Sequence, residues 1–187
     1  MVEVLELTSA VQHARAKWHY RGGERPSFAD AVGAGEESVW DFPRPPRIEP
    51  VISTLRVMHG DRVLASTERG VRVVETAGAP TYYFPPDDVQ VALLVELPGR
   101  SLCEWKGLAA TLTMKGERES TDSVSWYYLD TFPEFDSIRG WYAFYPGVLT
   151  CYIGNEQVQA QPGGYYGGWV GGNLKGPIKG EPGSEAW

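Results

Sequence analysis

The sequence predicts a mainly β protein, with a single small antiparallel β domain preceded by an N-terminal helix and an extended strap. Short apolar segments of alternating pattern follow one another, with little helical spacing between them. The 187 residues include 22 Gly and 14 Pro, which favour turns over long helices. The hydrophobic fraction is 42% and includes seven Trp and ten Tyr, so the chain can build one core.

Composition divides the chain into three segments, 1–50, 51–170 and 171–187. The first segment opens with apolar residues at helical spacing, which predict an amphipathic helix. These residues are Val4, Leu7, Val11, Ala14 and Trp18. A Pro- and Gly-rich stretch follows, with the apolar anchors Phe28, Val39, Trp40 and Phe42. Because free linkers rarely carry such anchors, the stretch predicts an ordered strap across the domain or across a partner subunit.

The strands fall in segment 51–170. "TLRVMHGDRVLAST" predicts a hairpin with its turn at Gly60–Asp61, and "GVRVVET" and "TYYF" predict two further strands. "LAATLTMKGERES" and "DSVSWYYL" predict a second hairpin around Gly116, while "WYAFYP" and "LTCYIG" predict two more strands. "QVALLVEL" fits either a strand or a short helix. The tail, 171–187, is predicted to be loose beyond Gly180.

The charge and the apolar pattern of the sequence argue against nucleic-acid and membrane partners. The net charge is −7 and no Lys- or Arg-rich block occurs, which argues against nucleic acid as a partner. The longest apolar run, "VALLV", is too short to cross a membrane, and the N-terminal residues lack a signal-peptide pattern. Two cysteines, Cys103 and Cys151, that form no CxxC pair are too few for a disulfide framework in a chain of this size. We therefore expect a cytoplasmic protein with reduced thiols and no membrane partner.

The residue types available also limit the chemistry. The three histidines are His13, His19 and His59, and none lies beside the other residues of a catalytic triad. Two distant cysteines add little to a tetrahedral metal site. We predict no metal and no cofactor, so acid/base chemistry must use Glu, Asp, Lys, Tyr or Cys.

The densest group of reactive side chains is "CEWKG", residues 103–107. It combines a nucleophile, Cys103, with a cation, Lys106, and a stacking surface, Trp105. A nearby Lys favours the reactive thiolate, and an apolar wall would lower the pKa of Lys106 itself. On an extended strand Cys103 and Lys106 lie on opposite faces, so they meet only if Gly107 bends the chain. In the alternative interpretation Cys103 and Trp105 are core residues, and Glu104 and Lys106 are solvated.

Further candidates lie on the neighbouring strands. Glu75 ends a strand beside a turn, where a carboxylate is either solvated or directed into a pocket. We predict Lys106, Cys103 and Glu75 as catalytic groups. The predicted ligand-binding side chains are Tyr82, Tyr83, Trp105, Trp126 and Tyr145. "GGYYGGW", residues 163–169, predicts a ligand lid or a tight packing strap, since glycine lets backbone approach closely.

Several motifs together resemble a known family. In order they are "ESVWDFPRPP", "VRVVET…PTYYFPPDDV", "CEWKG", "WYAFYPG" and "QPGGYYGGW". Over roughly residues 17–170 the chain resembles the bacterial family called domain of unknown function 427. The resemblance implies a small β-rich fold, a tent of sheets of the Mss4 type, and no particular activity. The family has carried a nucleotidyltransferase label, but this chain has no Gly-Ser turn with spaced aspartates and no P-loop.

The chain departs from the family pattern inside "CEWKG". Family members often have Pro where this chain has Glu104, and His where it has Leu102. From the first difference we expect Glu104 to face solvent.

The sequence favours a small-molecule enzyme or binder with an aromatic pocket. The expected chemistry is cofactor-free acid/base or thiol-assisted work on a small polar metabolite. The alternative is a non-catalytic β-module that binds a protein or a ligand through its aromatic strap. A homodimer is compatible with both, because the strap can cross a partner subunit.

Overall fold

The computed structural model describes residues 5–116 and 123–187. In these residues the backbone forms one α-helix, α1 (Ser9–Ala16), and four short 3-10 helices, at Val39–Asp41, Pro86–Asp88, Val91–Leu93 and Pro133–Ile138. The strands are β1 (Glu37–Ser38), β2 (Arg47–Pro50), β3 (Leu55–His59), β4 (Arg62–Thr67), β5 (Val71–Val74), β6 (Thr81–Tyr83), β7 (Leu94–Glu96), β8 (Ser101–Cys103), β9 (Gly107–Met114), β10 (Ser125–Thr131), β11 (Tyr142–Phe144), β12 (Thr150–Ile153), β13 (Glu156–Gln157), β14 (Gln159–Ala160), β15 (Trp169–Val170) and β16 (Leu174–Lys175).

The strands form three antiparallel sheets and two short pairs. The largest sheet has the order β11-β10-β9-β7, with β8 also paired to β9. A four-stranded sheet has the order β13-β12-β3-β4, and a three-stranded sheet has the order β2-β5-β6. β14 pairs with β15 antiparallel, and β1 pairs with β16 parallel. The predicted mainly antiparallel β class is confirmed, while the tent-like arrangement stays a prediction.

Local turn chemistry explains which strand predictions succeed. β3 and β4 form the predicted hairpin around Gly60–Asp61. β9 and β10 pair antiparallel as the second predicted hairpin requires, and residues 117–122 between them lie outside the described residues. The sequence left open whether "QVALLVEL" is a strand or a short helix. The segment contains both, because a 3-10 helix at Val91–Leu93 is followed by the strand β7.

The helix α1 is shorter than its apolar spacing predicts. It begins at Ser9 because the hydroxyl of Thr8 caps it by accepting a hydrogen bond from the Val11 amide, at 3.3 Å. Val11 is the helix's buried residue, so little packing is available to lengthen it. Val4 lies outside the described residues. No helix among residues 5–116 and 123–187 is long and apolar enough to cross a membrane.

The arm and the tail are integral parts of the fold. β2 pairs with β5 along its whole length, so the predicted boundary at residue 50 falls at the end of a strand shared with the core. Trp40 is 1% exposed, which agrees with an ordered strap. The tail was expected to be loose beyond Gly180, and this is wrong, because Trp187 stacks on Phe28 at 5.3 Å between ring centroids.

Candidate functional site

A pocket of about 890 Å³ lies among β5, β6, β8, β9 and β10. This volume is typical of sites for small organic molecules. The arm, the loop 161–167 and the tail complete its lining. Six of the eight predicted site residues line it, namely Glu75, Tyr83, Cys103, Lys106, Trp126 and Tyr145.

The "CEWKG" segment is a tight turn. Cys103 ends β8 and pairs directly with Gly107 at the start of β9, so residues 104–106 form the loop between the strands. Gly107 has φ 133°, a conformation that L side chains rarely adopt. The predicted bend at Gly107 is therefore present. The turn lets Cys103 and Lys106 line the same pocket, which an extended strand would prevent.

Lys106 is the partly buried cation of the pocket. Burial opposes its charge, but the neighbouring acidic groups, Cys103 first and then Tyr83, Glu75 and Glu104, outweigh burial and raise its pKa above the ordinary value. The expected lowering of the Lys106 pKa is therefore wrong. In the part of the chain that the structure describes, its ammonium makes no hydrogen bond and no ion pair.

Two buried phenols line the same pocket as this cation. Tyr83 is fully buried, and burial raises its pKa to about 12. Burial also raises the pKa of Tyr128 well above its ordinary value. Trp126 and Tyr128 lie near the Tyr83 hydroxyl, but neither meets it with ordinary hydrogen-bond distance and angle, so the hydroxyl has no partner. Both phenols are protonated at neutral pH and can donate to a ligand.

Glu75 lines the pocket as half of an ion pair. Its carboxylate accepts a hydrogen bond from Nε of Arg44 at 3.0 Å. Arg44 is 5% exposed and also donates to the carbonyl oxygens of Tyr20 and Thr76, at 2.7 and 2.8 Å. The three bonds fix the guanidinium. The Glu75 carboxylate is therefore held in place as the counter-charge of a buried arginine.

Trp18 and Lys179 also line the pocket, although sequence reasoning missed both. Nζ of Lys179 lies 3.3 Å from the centre of the Trp18 ring, and Cζ of Arg44 lies 4.7 Å from it. The indole N–H of Trp18 donates to Oε1 of Glu104 at 2.9 Å. The arm, the "CEWKG" turn and the tail are therefore all in contact with the indole of Trp18. No sequence signal joins residues so far apart in the chain.

An aromatic wall forms the apolar side of the pocket. Trp126 and Tyr145 have ring centroids 4.5 Å apart. The loop that contains Gly167 lies directly on this wall, because a Cβ at Gly167 would overlap Cη2 of Trp126. This loop lines the pocket, and its Tyr165 is 79% exposed. The loop therefore packs tightly against the wall, as a packing strap would, and its predicted role as a ligand lid stays a prediction.

Two predicted ligand-binding residues lie elsewhere. Tyr82 and Tyr83 lie on opposite faces of β6. The ring of Tyr82 packs in the main core against Trp169, with ring centroids 4.9 Å apart. Trp105 is 4% exposed and does not line the pocket. The turn directs its ring into the core, where Cζ of Arg15 lies 5.0 Å from the ring centre. Neither side chain lines this pocket, so the pocket does not support their predicted role in ligand binding.

Glu104 was expected to face solvent, and this is also wrong. Its carboxylate accepts from the Trp18 indole, and its carbonyl oxygen accepts from Nε of Arg15 at 2.6 Å. We expect Glu104→Ala to lower the free energy of unfolding by about 2 kcal/mol, since it leaves a part-buried indole N–H without its charged acceptor. Glu104→Gln keeps an acceptor and should lose less than about 1 kcal/mol. Urea denaturation measures both, and an unchanged Glu104→Ala variant would restore the solvent-facing interpretation.

Lys179 gives the stability a pH dependence. Burial, and then the charge of Arg44, lower its pKa to about 8 from the ordinary 10.5. Between these two pH values the unfolded chain binds the proton that the folded chain has lost, so stability rises with pH. We expect the unfolding free energy of the wild type, relative to Lys179→Met, to increase from about pH 8 to pH 10.5. Parallel curves for the two proteins over that range would contradict the burial of a charged Lys179.

The described residues contain no group of three or more His, Cys, Asp or Glu side chains placed to hold a metal ion.

Comparison with known proteins identifies the family. The family model described as Domain of unknown function (DUF427) matches residues 47–155, more than half of the chain. The matched region runs from β2 to the turn after β12 and includes Glu75, Tyr83, Cys103 and Lys106. No curated protein matches the sequence. The chain belongs to the DUF427 family.

Proposed function

We propose that the protein binds a small polar metabolite in the pocket and acts on it by cofactor-free acid/base or thiol-assisted chemistry. One observation carries the proposal. The ammonium of Lys106 has no partner among the described residues, and it shares a pocket of about 890 Å³ with the thiol of Cys103 and two phenols. A concave site with an apolar wall and a few converging polar groups is the usual form of a small-molecule site.

The reactive groups have complementary roles in this proposal. The raised pKa of Lys106 keeps it charged, so it stabilises negative charge on a substrate and does not act as a base. The phenols of Tyr83 and Tyr128 are proton donors. The thiol of Cys103 is the nucleophile, and the carboxylate oxygen of Glu104, 3.9 Å from Sγ, accepts its proton.

A non-catalytic β-module remains the second candidate function. It is favoured by apolar side chains at the pocket rim that are largely exposed, namely Leu102 at 55%, Val148 at 48% and Tyr165 at 79%. An exposed apolar rim is typical of a surface that a protein partner covers. The unpartnered polar groups inside the pocket favour the small-molecule function, because a protein covering the rim would leave them unused.

We also propose a cytoplasmic location, with which the two free thiols Cys103 and Cys151 are consistent. The predicted homodimer stays a prediction.

Metabolite co-purification tests the function. Ala109 is 5% exposed and lines the pocket, so Ala109→Trp would fill it. Lys115 is exposed and lies outside this pocket, which makes Lys115→Met the matched control. We expect one metabolite to be enriched in extracts of the wild type and of Lys115→Met, and absent from folded Ala109→Trp and Lys106→Met. Identical profiles from all four proteins, read by mass spectrometry, would refute the proposal.

A further inference from the structure

We propose that the ligand of this pocket is an organic carboxylate with a flat apolar body. Its carboxylate accepts from the Lys106 ammonium and the Tyr83 hydroxyl, and its body lies against Trp126 and Tyr145. The inference rests on the proposed function and adds the charge and shape of the ligand to it.

The charge of the lining is the first argument. The charged side chains of the pocket are Lys17, Arg44, Lys106 and Lys179, which are cations, and Glu75 and Glu104, which are carboxylates. Four positive and two negative groups give the pocket a formal charge of +2, although the whole chain carries −7. Such a local excess of positive charge in a negatively charged protein favours an anion.

The second argument is that one cation is unused. The guanidinium of Arg44 makes three hydrogen bonds. The ammonium of Lys179 donates to the carbonyl oxygen of Trp187 at 3.2 Å and lies over Trp18. Lys17 is exposed, with its ammonium 4.7 Å from the centre of the Trp18 ring. Lys106 alone among the pocket cations is partly buried and lacks any partner within the described residues.

Neither carboxylate of the pocket forms an ion pair with the Lys106 ammonium. Glu75 accepts from Arg44, and Glu104 accepts from Trp18. Both contribute to the raised pKa of Lys106 through their charge, but neither touches its ammonium. An ammonium held near two committed carboxylates still has all three of its N–H donors available to a ligand.

The third argument is the Tyr83 hydroxyl. It is fully buried, lines the pocket and has no hydrogen-bond partner. A buried polar group without a partner is costly, and of the four such atoms in the described residues only the Tyr83 hydroxyl belongs to a residue that lines this pocket. The Lys106 ammonium can only donate, and the Tyr83 phenol, which is protonated at neutral pH, can donate as well. Two oxygens on one planar group satisfy both donors.

A carboxylate fits this donor set better than a phosphate does. Phosphate sites commonly use a forked guanidinium or several N–H groups at a helix terminus. The guanidinium in this pocket, that of Arg44, already binds Glu75. The helix α1 does not direct its N-terminus at the pocket, because it reaches the lining only through Lys17 and Trp18, which follow its C-terminal end. One free ammonium matches the single charge of a carboxylate.

The apolar body of the ligand is inferred from the aromatic wall of the pocket. Trp126 and Tyr145 form an aromatic surface that lines the pocket together with the small side chain of Ala109. Aromatic faces pack best against flat apolar groups. The pocket is also too large for acetate or another very small acid alone, at about 890 Å³.

Matched probes test the inference. Naphthoate, naphthamide and naphthyl phosphate share one flat body and differ in their polar group. We expect isothermal titration calorimetry of the full chain at neutral pH to show naphthoate binding at least about tenfold more tightly than naphthamide. Naphthyl phosphate should bind more weakly than naphthoate. Tighter binding of the phosphate, or equal binding of the carboxylate and the amide, would overturn the assignment.

Variants of the pocket residues test whether the carboxylate of the probe binds Lys106 and Tyr83. Lys106→Met should remove the preference for naphthoate over naphthamide, and Tyr83→Phe should reduce it several-fold. Lys115→Met should leave it unchanged. Tyr83→Phe loses only an unpartnered hydroxyl, so its fold is secure even if Lys106→Met folds poorly. A preference retained in both pocket variants would overturn the inference.

The two proposals fail separately. If no naphthyl probe binds, the carboxylate assignment falls, and the metabolite difference between the wild type and Ala109→Trp still decides the proposed function. If that metabolite is present and carries no carboxylate, the function stands and this inference is wrong. If the profiles are identical, the function itself is refuted.

Discussion

Gly107→Ala should lower the free energy of unfolding by about 4 kcal/mol, an unusually large effect for a single added methyl group. The backbone of Gly107 has φ 133°, which L side chains rarely adopt. A Cβ at this position would overlap the carbonyl oxygen of Asp130 and lie 2.8 Å from Cα of Thr131. Both obstacles are backbone atoms of β10, so no side-chain rotation relieves them.

The cost is large because β10 cannot move aside. Asp130 and Thr131 pair with Leu108 and Gly107 of β9, so a shift at Asp130 would break this end of the β9–β10 pairing. Packed interiors do not yield by such amounts without loss of contacts. The substitution should also remove naphthoate binding, since Gly107 forms the turn that holds Lys106 beside Cys103.

Gly154→Ala is the matched control for this result. Gly154 also has positive φ, 60°, but no atom lies within 4 Å of its hypothetical Cβ. It should cost only about 1 kcal/mol, the conformational penalty without the clash. Urea denaturation gives both free energies. Equal losses in the two variants would show that the β9–β10 backbone adapts and that the close approach at Gly107 has no special cost.

The sequence predicts most of the fold because its signals are local. The β3–β4 hairpin depends on alternation and on the Gly60–Asp61 turn, which neighbouring residues specify. The helix α1 is shorter than its spacing predicts because the hydroxyl of Thr8 caps its N-terminus, so that the helix begins only at Ser9, and because it buries little surface. Propensity and spacing do not report how much surface a helix will bury.

The candidate site is predictable only in part, for a related reason. Alternation shows that one of Tyr82 and Tyr83 faces a pocket, but not which of them. Trp105 was assigned to the pocket because "CEWKG" places a stacking surface beside Cys103 and Lys106, but the tight turn directs its ring into the core. Trp18 and Lys179 come from opposite ends of the chain and meet only in the folded protein, so no pattern of nearby residues could join them.

Glu104 shows the limit of family comparison. Tolerance of Pro at this position suggested a solvent-facing side chain, yet here the carboxylate accepts from the Trp18 indole. A residue that is dispensable in relatives can acquire a partner in one chain, and only the three-dimensional contact reveals it.

Trp40→Ala should lower the free energy of unfolding by about 4 kcal/mol, since it removes one of the largest side chains of the core. Trp40 is 1% exposed. Its ring makes edge contacts with Tyr20 and Phe28, each at 5.1 Å between centroids, and with Trp187 at 5.2 Å. It therefore joins two parts of the arm to the tail, and the cavity left by alanine would weaken all three contacts.

Two variants separate this role from a general effect of losing an aromatic ring. Trp40→Phe keeps a ring and removes an indole N–H that has no partner, so it should lose about 1–2 kcal/mol. Tyr165→Ala removes a ring that is 79% exposed and should change the unfolding free energy by less than about 0.5 kcal/mol. Trp40→Ala should also weaken naphthoate binding, because the arm it anchors carries Trp18 and Arg44 to the pocket. If Trp40→Ala proves as stable as Tyr165→Ala in urea denaturation, the arm is not a structural part of the domain, and the pocket does not depend on it.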